Sequence, residues 1–127
     1  MTPSMHERVA DWFEESGLTD GLTVQMLRWK DSGDKDEAFI VFRPNGGTDI
    51  TQEAGAEYYI LADVIGRVGE DKEIDDRVQK IISFVKENSM PSDCIGRIDN
   101  MGGIPTPVVT QEDRLVYRLQ FAVIYGE

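Results

Sequence analysis

From Arg114 to Tyr125 every odd position is large and apolar: Leu115, Tyr117, Leu119, Phe121, Val123 and Tyr125. Strict alternation over this length specifies a β-strand, because successive side chains of an extended chain point to opposite faces. A strand this long also carries a row of backbone donors and acceptors along each edge, so neighbours must clamp it. The segment therefore commits the chain to a sheet with one well-buried face. Its even positions, Val116, Arg118, Gln120, Ala122 and Ile124, are mixed. That second face is either lightly covered by the same subunit or kept for another one.

The 127 residues suit one domain, 1–127, able to bury about two-thirds of the surface its unfolded chain exposes. No segment approaches the ~20 apolar residues of a membrane-spanning helix, so no membrane partner is expected. The N-terminus has no basic run followed by an apolar core, so no secretory signal is expected either. Cys94 is the sole cysteine, which excludes an internal disulfide and fits a reducing compartment. With 13 basic against 24 acidic residues the net charge is −11. Such a surface repels phosphate backbones and argues against sequence-specific nucleic-acid binding. The same sign suits plain solubility, and it also suits a channel wall past which DNA slides without sticking.

Met5, Val9, Trp12 and Phe13 form one apolar helical stripe, opened by Thr2-Pro3 or by a Ser4/Glu7 capping box and closed by Gly17. Leu22 to Lys30 reads as a strand, and Glu37 to Arg43 as its hairpin partner across the polar turn 31–36. Pro44 then opens a glycine-bearing loop running to Gly55, a length that is usually functional or disordered. A third strand spans Ala56 to about Val68, apolar enough on both faces for a central position, with Gly66 allowing a bend or close packing. Ile74, Val78, Ile81, Ile82 and Val85 define a second helix, about Asp71 to Asn88, closed by Met90-Pro91. Ile95 to Ile98 reads as a short strand, and Gly102-Gly103 with Pro105-Thr106-Pro107 prevent a long element after it. The order predicts an α+β fold: a mainly antiparallel sheet with two helices packed on one face.

Residues with catalytic chemistry do not assemble in the sequence. His6 is the only histidine, in the first turn of an amphipathic helix, and Cys94 has no nearby base to activate it. The glycine pairs in Asn45-Gly46-Gly47-Thr48 and Asn100-Met101-Gly102-Gly103 lack the lysine and following helix of a phosphate loop. Adjacent acids such as Asp75/Asp76 and Glu112/Asp113 point apart. The expectation is no catalytic residue, no metal site and no cofactor. An enzyme reading would need Asp93, Cys94, Asp99 and Glu112 to converge on the second glycine loop. Most aromatics sit in phase with their elements and belong to a core. Trp29 and Tyr59 fall out of phase, which makes them candidates for a subunit contact, with packing into the core of their own chain the open alternative.

In length, acidity and element order the chain resembles the phage tail terminator family, the U-type minor tail proteins that complete long tails. The resemblance rests on the helix at Met5–Phe13, the long loop before strand three, the helix at Ile74–Val85 and the terminal strand Leu115–Tyr125. It implies a hexameric ring on the tail tube that ends polymerisation and presents a head-joining surface. The implied partners are other copies of the chain, the tail-tube protein and a head-completion or connector protein. The implied location is the host bacterial cytoplasm during assembly, from an active phage or a prophage, and then the virion tail. Ring contacts are expected from Trp29, Asn45, Gly46, Gly47, Tyr59, Met101, Gly102, Gly103, Arg118 and Gln120. A connector or tube-like subunit is the alternative, and an extended arm from Glu37–Gly55 would favour it.

Overall fold

Two periodicities meet at one layer boundary. The computed structural model describes residues 4–30, 32–47, 57–89 and 95–125. Along them run α1 (Met5–Glu15), β1 (Leu22–Met26), β2 (Ala38–Gly47), β3 (Glu57–Ile65), α2 (Asp71–Glu87), β4 (Ile95–Met101), β5 (Val108–Val109) and β6 (Leu115–Tyr125). The sheet is ordered β1-β2-β3-β6-β4, with β5 also paired to β6. All pairings are antiparallel except β1 with β2. This is the expected α+β arrangement, with β3 and β6 at its centre.

Tyr117, Leu119, Phe121 and Val123 of β6 are buried, as alternation requires, and so are Ile60, Ala62 and Val64 of β3. Both helices press their stripes onto this face: Met5, Val9, Ala10 and Phe13 from α1, and Ile74, Val78, Ile81 and Val85 from α2. The Phe13 ring meets Phe42 and Phe121 edge-on at 5.3 and 5.7 Å, which ties α1 to two strands at once. Trp12 closes the seam between the helices against Phe84 at 5.4 Å. Gly66 is needed for close approach: an added Cβ would stand 3.0 Å from Ile74.

The N-cap of α1 is Ser4, whose Oγ donates to Glu7 Oε1 at 2.8 Å; the Thr2-Pro3 alternative lies outside the described residues. Gly17 takes the left-handed turn after the helix, at φ 77°. The third strand is shorter than expected, at Glu57–Ile65, while Ile95–Ile98 extends to Met101 and β5 adds a two-residue strand. Met90-Pro91 lies outside the described residues.

Two expectations are corrected. The first two strands are not a hairpin. β1 ends at Met26, not Lys30, and the chain crosses back so that Leu22 lies beside Ala38 in parallel. Segment 27–37 is too long for a tight turn and is anchored elsewhere. Gln25 bonds both the N–H and C=O of Lys30 through its amide, at 2.7 and 2.9 Å, and Thr23 donates to Glu37 at 2.5 Å. Secondly, Pro44 does not end its strand, and Asn45, Gly46 and Gly47 continue β2 through a register shift. Leu27 N–H donates to the Phe42 carbonyl at 2.8 Å. By alternation the Pro44 nitrogen faces that same edge beyond the end of β1, where no donor is required. The remainder of the expected loop, 48–56, lies outside the described residues.

Candidate functional site

The pleat that buries the odd side chains of β6 directs Val116, Arg118, Gln120, Ala122 and Ile124 to the face away from the helices. The upper part of this outer face is covered. Phe39, Val41 and Ile65 form a second small core with Trp29 and Val116 against it. Trp29 lies edge-on to Phe39 at 5.8 Å.

Arg114, fully buried, holds the covering segment in place. It donates to the carbonyls of Asp34 at 2.6 Å, Glu37 at 2.7 Å and Gly66 at 3.2 Å. Its guanidinium lies 5.5 Å from the Phe39 ring centroid and 6.0 Å from that of Trp29. A planar fork of donors suits three fixed carbonyls far better than a point charge would.

Below this cluster no described element lies over the sheet. Asp63 of β3 stands directly opposite Arg118 of β6 in the register. Arg118 donates from Nε to Asp63 Oδ1 at 2.9 Å, and Arg43 of β2 bonds the other carboxylate oxygen. The Asp63 side chain is 9% exposed whereas that of Arg118 is 57% exposed. Hydrogen bonding to Asp63, and then its charge, raises the Arg118 pKa above its usual value. Further down, Arg97 and Asp99 pair with each other at 2.9 Å beside Ile124 and Ala122. Leu61, flanked across the strands by Arg43 and Gln120, is nearly buried; Tyr59, Ala122 and Ile124 are half-buried and Met101 is exposed. The open patch thus combines apolar side chains with three arginines against two aspartates, in a chain of net charge −11.

The residues expected at ring contacts fall into four places. Tyr59, Met101, Arg118 and Gln120 share the open outer face. Asn45 and Gly46 are exposed at the far end of β2, where Gly47 pairs with Tyr58. Gly102 and Gly103 are exposed beside Ile104, beyond β4, and Val108 and Val109 expose about two-thirds of their surface nearby. Trp29 stands apart, packed within its own chain. Sequence reasoning did not find Asp63, Arg43 or Arg114. The available signal for Asp63 was a lone charge within the otherwise apolar run Tyr58–Ile65.

Of the residues of the enzyme reading, the two described ones, Asp99 and Glu112, do not come together. Asp93 and Cys94 lie outside the described residues. Asp99 sits opposite Ala122, while Glu112 lies 3.7 Å from Arg114 before the start of β6, roughly 20 Å along the strand. His6 is half-buried on α1, 3.5 Å from Ser4 Oγ. A cleft of about 460 Å³ between α2 and β4 is lined by Val85, Lys86, Ile98 and Asp99 among others, with no histidine or cysteine among the described lining residues. No group of three or more His, Cys, Asp or Glu side chains suited to a metal is found among the described residues. No described helix is long and apolar enough to cross a membrane.

The architecture is thus an α+β fold with a helix-covered face and a partly open, charged face. Residues 2–127 match the family model described as phage tail termination protein, and the chain belongs to that family. Eleven solved chains match it. One of them superposes with a TM-score of 0.53 at 12% identity, covering 98% of this chain and 99% of the other, a likeness of fold. No curated protein matches the chain. Membership supports a structural role in the phage tail, interaction with other tail and head proteins, and a non-enzymatic character.

Proposed function

We propose that this chain, working as a single domain, caps the tail tube as a hexameric ring. The ring ends tube polymerisation and presents the surface to which the head joins. The observation that carries this reading is the family match over residues 2–127. The open charged face supports it too, because a ring requires surfaces left unsatisfied within one subunit. Tyr59, Met101, Arg118 and Gln120 belong to the subunit contact. The exposed Gly102–Val109 turn, with Ile104 and Val108, and the Asn45–Gly47 strand end are the tube- and head-facing contacts. The excess of carboxylates lines the lumen and keeps the DNA backbone from sticking as it passes. Assembly takes place in the host cytoplasm, and the chain carries out no catalysis.

The test is tail length. Tails assembled in cells lacking this protein, measured by negative-stain electron microscopy, should be overlong, variable and headless. Resupplying the chain should restore one length. Tails of normal, uniform length without it would overturn the reading.

A further inference from the structure

We infer that the open outer face around Arg118 docks the acidic surface of α1 from a second copy of this chain. This rests on the ring reading and names the two patches that meet. On α1, Glu7, Asp11, Glu14 and Glu15 are exposed at helical spacing and form one acidic stripe, while Arg8 is buried. None of the ion pairs among the described residues involves Asp11, Glu14 or Glu15. The last turn of α1 contains no basic residue, so Glu14 and Glu15 add negative charge to the negative end of the helix dipole. Such a surface is self-repelling until a cation meets it.

The outer face offers the cations. Arg118 projects from it with more than half of its side chain exposed, Arg43 shares the same aspartate, and Arg97 lies further down. Apolar contact is available beside them from Met101 and the half-buried Tyr59 and Ile124. Opposite charge across a desolvated contact sets register and excludes wrong partners.

Placement completes the argument. α1 packs its apolar stripe on the inner face of the sheet, so its acidic stripe points away from the molecule on the side opposite Arg118. Two complementary patches on opposite sides cannot pair symmetrically. They join copies head to tail, an arrangement that closes into a ring when the rotation from one copy to the next divides a full turn.

Charge reversal tests this directly, by light scattering on purified protein with circular dichroism as a check on folding. Asp11→Lys with Glu14→Lys touches only exposed helix positions, and Arg118→Glu is the complementary change. Each variant alone should lose the wild-type oligomer. An equimolar mixture should regain it, because the reversed face of one now meets the reversed helix of the other. Oligomers that survive both changes, or folded variants whose mixture stays dissociated, overturn this interface and leave the capping role standing. A wild-type chain that stays monomeric at high concentration overturns the self-docking, and tail length then judges the capping role separately.

Discussion

Arg114 reaches the Asp34 carbonyl, 80 residues earlier in the chain, with an Nη2–O distance of 2.6 Å. The bond, with those to Glu37 and Gly66, fastens the crossover between β1 and β2 to the start of β6. Replacing Arg114 with alanine strands three carbonyls and opens a void under Trp29. The expected cost is about 3–5 kcal/mol, read from urea unfolding. Hydrogen exchange in residues 32–37 should accelerate before the remainder of the sheet. Unchanged protection there would contradict the anchoring role.

Asp63 and Arg118 should respond unequally to truncation, although they are partners. Asp63→Ala leaves two guanidinium groups facing each other at a nearly buried site, at a cost of about 2 kcal/mol. Arg118→Ala removes a largely exposed charge and costs under about 1 kcal/mol. Equal losses in thermal or denaturant melts would show that Arg118 carries more of the fold than its exposure implies.

Gly66 sits where β3 gives way to α2, with its N–H donated to the Leu115 carbonyl at 2.9 Å. Gly66→Ala forces a methyl against Ile74 and should cost about 1–3 kcal/mol. In an Ile74→Ala background the same change should cost less, a coupling that a double-mutant cycle measures. Strict additivity would mean that the chain relaxes away from the contact.

Tyr117 donates its hydroxyl to Asp75 at 2.7 Å. Burial, and then the hydrogen bond and charge of Asp75, push the Tyr117 pKa up to about 12. An unfolded tyrosine ionises near pH 10, so the folded state favours the neutral phenol. The resulting stability is fully present below about pH 10 and is lost as pH rises through about 12. Ultraviolet titration should therefore show a late-ionising fraction among the four tyrosines. Tyr117→Phe should abolish that fraction and cost about 1 kcal/mol at neutral pH.

The elements that local patterning specified are those whose reason is local. Alternation in Leu115–Tyr125 and the stripe Ile74–Val85 each point one set of side chains in one direction, so a buried layer follows from either pattern alone. The mixed even face of β6 could also be read directly, and with it Arg118 and Gln120 as surface candidates. What tertiary structure alone decided depends on distant chain. β1 pairs in parallel because its return segment is gripped by Arg114, a residue that in sequence only opens another strand. Pro44 stays within β2 because β1 has already ended beside it, a coincidence of registers that no local motif records. The Arg43–Asp63–Arg118 cluster exists because strand pairing sets Arg118 directly opposite Asp63 and leaves Arg43, which stands opposite Leu61, on the diagonal to the same carboxylate. Periodicity is a property of neighbours in sequence and survives any topology; register is a property of the assembled sheet, so the charged face could not be placed until the strands were paired.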